Sequence, residues 1–324
     1  MSDSALTLDF EAWSRCLPGR VESSGLQRLT GNLSKSTVYR IHGAGNGGSA
    51  VIAKRCPPES AVTERTIYER VLPLLPLTAP RYYGAVEAQN KSLWILLEDV
   101  EGQKFSPFMS EHRLLAARWL GILHSRSSQI LPRPELPDRG TTHFHACLTS
   151  ARKKILESRC NPALSAQDVA FLEAVLRLCD ALEAQWPPLT RLCSSFPPTI
   201  VHGDFRPKNA YVRADPGGSR LLPMDWEMAG WGIAALDLAP ARSPLRLPLV
   251  DLSAYKDTVR GTDPEINIDS IERQVRLGVV LRRLSAISWS SMSLSTEWPE
   301  KAVACIRVYK AELDDVLQRP PWAD

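Results

Sequence analysis

Through residue 98 the apolar positions come in short alternating runs, the period of half-buried strands. Residues 29–41 (LTGNLSKSTVYRI) alternate on both sides of a polar turn and predict a hairpin. Residues 49–55 (SAVIAKR) predict a short apolar strand with Lys54 near its end. Ile67, Val71, Leu72 and Leu75 recur at helical spacing within residues 62–75, and Pro80 stops the pattern. Residues 82–86 and 92–97 (SLWILL) predict two more strands. The order strand, strand, strand, helix, strand, strand reads as one antiparallel sheet carrying one helix.

After Glu98 the spacing turns helical. Ser110 stands where an N-cap is expected, ahead of Leu115, Trp119, Ile122 and Leu123 on one face, so a helix is predicted to about residue 124. The Pro-rich residues 128–141 read as a connector. Ser165 and Asp168 form a capping-box pattern before the apolar face Leu172, Val175, Leu176, Cys179 and Leu182. Two further helices are predicted over residues 268–290 and 299–318. Between them and the earlier helices lies an island of short strands at 199–202, 209–213 and 220–224, the last two joined by a Pro-Gly-Gly turn.

Composition narrows the class. The 324 residues, 44% hydrophobic and 23% charged, are an ordinary globular balance with room for two lobes. The net charge of +3 comes without a basic run or stripe, which argues against a nucleic-acid partner. The seven cysteines are scattered with no CxxC pair, which supports neither a zinc ribbon nor a disulfide framework and suits a reducing cytosol. The N-terminal MSDSALTLDFEAW lacks the regions of a signal peptide, and no apolar stretch is long enough to span a membrane. A cytoplasmic protein without a membrane partner is expected; nothing in the composition identifies a protein partner.

The chemistry concentrates in VHGDFRPKNAYV (201–212) and LLPMDWEMAGWGIAALDLA (221–239). Asp204 is followed five residues on by Asn209, and Asp225 ends the second strand of the predicted hairpin. That hairpin brings Asn209 and Asp225 close together. One neutral and one charged oxygen ligand suit Mg2+, which keeps several waters and takes further ligands from phosphates.

The pattern HGDxxxxN, a strand, DWE and then DLA resembles the aminoglycoside phosphotransferase and choline kinase-like family, which shares the protein-kinase fold. The resemblance spans roughly residues 29–239. It implies a two-lobed α+β protein-kinase-like fold: an N-terminal nucleotide-binding lobe (1–98) with a small antiparallel sheet and one main helix, and a mostly helical catalytic and acceptor-binding lobe (99–324). It implies ATP and Mg2+ as cofactors and a small-molecule hydroxyl as phosphate acceptor. Asp204 would be the catalytic base, Asn209 and Asp225 the metal ligands, and Arg206 a cation against the transferring phosphate. Lys54 would contact the α- and β-phosphates and pair with a helix glutamate, Glu64, with Glu69 as the other candidate. Residues 96–101 (LLEDVE) resemble the hinge, where backbone groups near Glu98 and Val100 would meet adenine. The phosphate loop GNLSKST (31–37) has one glycine, where protein kinases have GxGxxG; Ser34, Ser36 and backbone amides would bond phosphate oxygens.

Asp237 follows Asp225 by only twelve positions, too few for the peptide-docking segment of a protein kinase, and no APE-like element follows. The acceptor is therefore expected to be a small molecule. Asp237 and His202 are expected to support the catalytic loop. The residues after Gly230 show no acidic excess, which weighs against a polycationic aminoglycoside. His143 and His145 form an HxH without a third ligand at fixed spacing, and Trp231, Trp289 and Trp298 read as core, with a pocket wall as the other possibility. Arg273, Arg276, Arg282 and Arg283 read as a solvated helix face. The reading from a different class is a catalytically silent nucleotide-binding regulator of the same fold.

Overall fold

The computed structural model describes residues 10–29, 37–88, 92–240 and 247–323. The expected phosphate loop, with Ser34 and Ser36, lies outside the described residues. In chain order the elements are β1 (Leu26–Arg28), β2 (Thr37–Ile41), β3 (Val51–Cys56), α1 (Pro58–Thr66), β4 (Tyr82–Glu87), β5 (Leu93–Glu98), β6 (Gln103–Lys104), α2 (Ser110–Arg126), α3 (Thr141–Ser158), α4 (Ala166–Ala184) and α5 (Trp186–Ser194). There follow β7 (Thr199–Val201), β8 (Ala210–Asp215), β9 (Gly218–Pro223), β10 (Gly230–Gly232), α6 (Ala235–Leu238), α7 (Leu252–Val259), α8 (Ile268–Ser291) and α9 (Glu300–Leu317). The chain divides into two compact units, Met1–Leu136 with Asp204–Ala229, and Pro137–Gly203 with Gly230–Asp324.

The first unit is built on a five-stranded antiparallel sheet in the order β1-β2-β3-β5-β4. Alternation along β3 decides what each face carries. Val51 and Ala53 turn toward a buried cluster of Trp13, Tyr39, Ile41, Trp94 and Leu96, where the Trp13 and Trp94 rings meet edge-on at 4.9 Å. Lys54 and Cys56 have the opposite parity and turn toward Glu64 of α1. Helix α1 starts at Pro58, whose missing N–H costs nothing in the first turn. It passes into a single π turn over Ile67–Val71 and then a 3-10 turn over Leu72–Leu74. The predicted apolar face Ile67, Val71, Leu72 and Leu75 is buried, but on a helix wound irregularly.

The β8–β9 hairpin joins β6 in a three-stranded sheet of the same unit. Thr78 ties it down: its hydroxyl donates to Leu221 O at 2.6 Å, and its carbonyl accepts from Trp119 Nε1 at 2.8 Å. Helix α2 includes Ser110 as its first residue, with Met109 at the cap position, so the expected serine cap does not form.

The second unit packs α3, α4, α8 and α9 around Phe144, Leu148, Leu172, Leu176, Leu277, Leu281, Leu284 and Ile306. The Ser165–Asp168 capping box forms, with Asp168 N donating to Ser165 Oγ at 3.1 Å and Ser165 N to Asp168 Oδ2 at 3.3 Å. Helix α8 passes so close to α6 that a Cβ at Gly278 would collide with the carbonyl of Ala235. A two-stranded ribbon pairs β7 with β10.

Two surface and core expectations change. Arg283 is buried and ion-paired with Glu312, Arg273 donates to Pro321 O at 2.5 Å, and Arg282 lies 3.4 Å from the carbonyls of Leu236 and Ala239, so these side chains do not form a solvated face. Carbonyls in and just after α6 and at Pro321 supply acceptors beside the helix, which its own sequence pattern does not show. Trp289 and Trp298 are 61% and 77% exposed and belong to no core. The HxH side chains diverge: His145 pairs with Glu183, while His143 faces Cys147 Sγ at 3.8 Å. Positions two apart on a helix point to different sides.

Breaking a buried ion pair strands the remaining charge. Arg283→Met is predicted to destabilise the protein by about 3–5 kcal/mol in urea unfolding, and adding Glu312→Leu to recover most of that loss. Equal stability of the single variant and wild type would show that the pair carries no structural weight.

Candidate active site

Lys54 is where the chemistry begins. Its Nζ donates to Glu64 Oε2 at 2.9 Å and forms a second ion pair with Asp225 Oδ1. Glu64 has no solvent exposure, and 14% of the Lys54 side chain is exposed. Burial works against the lysine charge, but Glu64 and Asp225 overcome it and the pKa shifts upward, so Lys54 stays cationic. Glu69 is committed elsewhere, to Arg65 at 3.0 Å and Tyr82 at 2.8 Å, which resolves the choice between the two glutamates.

Asp225 reaches Lys54 from the end of the hairpin. Pairing of Ala210 with Pro223 closes the ladder, and Met224 N donates to Asn209 O at 2.9 Å, which sets Asn209 and Asp225 on adjoining strand ends. Asp225 adopts left-handed backbone angles (φ 69°, ψ 63°), the one non-glycine residue with positive φ among the described residues. Such a conformation costs about 1–3 kcal/mol and persists where the surroundings enforce it. Here the Lys54 ion pair and the packing of the Trp226–Met228 turn against α1 enforce it.

Asn209 looks the other way, along the loop that carries Asp204. Its Nδ2 donates to both Asp204 O and Asp204 Oδ2 at 2.9 Å, which locks the aspartate and commits the amide nitrogen. That leaves the amide oxygen as the atom of Asn209 that could meet a metal. Among the described residues no cluster of three or more His, Cys, Asp or Glu side chains could hold a metal. Asn209 and Asp225 instead offer two hard oxygens, a set that fits Mg2+ when water and phosphate complete its shell.

Asp204 is buried to 8% exposure at a loop that Pro207 helps to bend. Arg206 Nη2 pairs with its Oδ1, and Lys208 Nζ lies 3.8 Å from its Oδ2. The two amides just before Asp204 are held by the fully buried Asp237, which accepts from His202 N at 2.6 Å and Gly203 N at 2.9 Å. Gly203 has φ 75°, a conformation that favours glycine and turns both amides toward one carboxylate. The expected support role of Asp237 is thus visible as two hydrogen bonds.

At the end of β5 the Glu98 side chain is occupied: Arg81 N donates to Oε2 at 3.0 Å, and Arg213 pairs with Oε1. Glu98 N donates to Arg81 O and Asp99 N to Ala50 O. Val100 makes no backbone–backbone hydrogen bond among the described residues, so its amide and carbonyl could meet a ligand edge. Two nearby groups were not singled out from sequence as site residues. Lys208 was legible as a cation four residues after Asp204. Glu227, in the DWE triplet, is half-buried, and burial first, then Asp225, raises its pKa.

Comparisons with known proteins agree with this geometry. No curated protein sequence matches the chain significantly. Solved structures match it over nearly the whole length at low identity. Choline kinase from Cryptosporidium parvum Iowa II has 12% identity and a TM-score of 0.65, covering 98% of this chain and 97% of that one. The microcompartment-associated aminopropanol kinase has 16% identity and a TM-score of 0.61, with 97% of each chain covered. The GDP complex of wild-type aminoglycoside 2'-phosphotransferase-IIIa has 14% identity and a TM-score of 0.61, covering 95% of this chain and 99% of that one. These likenesses establish the kinase-like α+β fold. The pattern of the phosphotransferase enzyme family (APH) matches residues 25–253, well over half of the 324-residue chain. The chain belongs to the phosphotransferase enzyme family.

Proposed function

We propose that this protein is an ATP-dependent small-molecule kinase that moves the γ-phosphate to an acceptor hydroxyl. The observation that carries the reading is a pair of linked contacts: Lys54 joins Glu64 to Asp225, and Asn209 holds Asp204 while its carbonyl accepts from Met224 N, the residue before Asp225. Phosphoryl transfer needs mainly positioning and charge neutralisation, and these contacts offer both. In this reading residues 1–98 bind the nucleotide, with the Val100 backbone at the adenine edge beside Glu98 and Lys54 at the α- and β-phosphates. Residues 99–324 carry catalysis and the acceptor. Asn209 and Asp225 hold Mg2+, which when bound neutralises phosphate charge.

Asp204 orients the acceptor hydroxyl and takes its proton as the oxygen bonds to the γ-phosphorus. The bond from that phosphorus to the β–γ bridging oxygen breaks, and its electron pair leaves with ADP. Arg206 moves from Asp204 Oδ1 to the transferring phosphate. The scattered free thiols suit a cytoplasmic setting, and no helix among the described residues is long and apolar enough to cross a membrane.

The catalytic loop also bears on acceptor charge. An ammonium group approaching Asp204 meets Arg206 at Oδ1, and Asn209 Nδ2 with Lys208 at Oδ2. The two cations are 46% and 60% exposed and face outward into solvent as well. Neutral or anionic hydroxyl compounds, natural products and small metabolites among them, fit this loop better than polyamines.

Asp204→Ala is expected to lower turnover by roughly 10²–10⁴-fold with nucleotide binding kept; near wild-type turnover removes Asp204 as the base. Asp225→Asn, which tolerates the left-handed backbone, should abolish the magnesium dependence of ATP binding in calorimetry; an unchanged dependence removes it as a metal ligand. Across a panel of alcohols with ATP and Mg2+, neutral and carboxylate-bearing acceptors should outperform aminoglycosides. Lys208→Glu should shift kcat/KM toward amine-bearing acceptors by about tenfold, about 1.4 kcal/mol. Turnover confined to polycationic aminoglycosides sinks the acceptor assignment.

A further inference from the structure

The ion pair at Lys54 uses only one oxygen of Glu64. Oε2 accepts from Lys54 Nζ at 2.9 Å and lies 3.7 Å from Cys56 Sγ. Oε1 is buried, and no group among the described residues hydrogen-bonds to it. One helical turn on, the hydroxyl of Tyr68 is buried as well, and among the described residues no acceptor takes its proton. Buried polar atoms are nearly always satisfied, and leaving one unsatisfied is costly, so each exception calls for an explanation.

The two orphans are chemically complementary. Burial first, and then the nearby Glu64 charge, push the Tyr68 pKa up, so the phenol keeps its proton and is a donor. Glu64 Oε1 is an acceptor. The Trp226 indole lies beside the phenol as well, from the turn that follows Asp225. Tyr68 sits in the π turn that breaks α1, and its ring stacks on Tyr82 at 5.3 Å with an interplanar angle of 4°. The extra residue of a π turn rotates the side chains that follow it, and such turns recur at functional sites.

We propose that Tyr68 is a positioning residue of the nucleotide site, acting through an ordered water held between its hydroxyl and Glu64 Oε1. The phenol donates to the water, and the water donates to the carboxylate. A buried water with several polar partners is part of a protein's structure. It fixes the Glu64 plane from behind, so that Oε2 stays aimed at Lys54 when Asp225 leaves the lysine for a metal and the nucleotide phosphates arrive. The inference rests on the nucleotide role of Lys54 and adds a residue to it.

Tyr68→Phe keeps the ring and the stack on Tyr82 and removes only the donor. A packing role is preserved in this variant; a positioning role is lost. The dissociation constant for Mg·ATP, measured by calorimetry without any acceptor, should rise roughly 3–10-fold, the scale of one hydrogen bond. In a Glu64→Gln background the same change should have little further effect, because the path runs through the carboxylate. A crystal structure should show a water within hydrogen-bond distance of both atoms. Tyr68→Phe binding Mg·ATP as tightly as a wild type that does bind it overturns this inference alone. An undiminished effect in Glu64→Gln, or a dry contact between the two atoms, also overturns it. A wild type that binds no Mg·ATP overturns the nucleotide reading and this inference together.

Discussion

The pairing of Lys54 with Glu64 is the constraint on which the rest of the site depends. A glutamate with no solvent exposure is tolerable only beside a cation, and the cation must come from a neighbouring element. Strand parity presents Lys54 on the face of β3 opposite the tryptophan cluster, and α1 lies across that face. The sheet, the helix and the hairpin that ends in Asp225 are therefore joined at one ammonium group. Removing it would leave two carboxylates facing each other without compensation.

The strained backbone of Asp225 follows from the same arrangement. The hairpin ladder delivers the chain to Met224, and the turn at Trp226 packs on α1, so the residue between them has little freedom. Left-handed angles turn its carboxylate toward Lys54. The catalytic loop is held by different means. Asn209 grips Asp204 with a side-chain amide, and Asp237 grips the two amides ahead of it. Each carboxylate or amide that would touch a ligand is thus held by a bond made without the ligand, which reduces the reorganisation needed when one binds.

Family membership rests on the sequence pattern over residues 25–253, while the likeness to choline kinase and the other solved structures reports the fold. In this chain the loop FRPKN sets Arg206 by one carboxylate oxygen of Asp204 and Lys208 by the other. No second acid on the loop offsets them, and half-buried Glu227, whose charge is disfavoured by burial and by Asp225, does so only weakly. Local charge beside Asp204 bears on what can approach it more directly than the net charge of the chain.

Much was legible in one dimension. Four of the five strands of the first sheet and its helix follow from period-two and helical spacing, while β1 lies just ahead of the expected hairpin, and the HGD, DWE and DLA triplets single out Asp204, Asp225 and Asp237 by residue type at short range. The capping box at Ser165 was equally plain, since its partners are three residues apart. Helix α3 was missed beside the Pro-rich connector because polar and β-branched residues (TTHFH) open it, although Phe144, Leu148, Ala151 and Ile155 carry a helical stripe. What tertiary structure decided were the properties set by distant partners: Glu64 rather than Glu69 for Lys54, a buried Arg283 rather than a solvated one, and exposed Trp289 and Trp298 rather than core. Residue type sets what a side chain can do. Which of those options is realised depends on the desolvation and the partners supplied by elements far away in sequence, and only the folded chain brings these together.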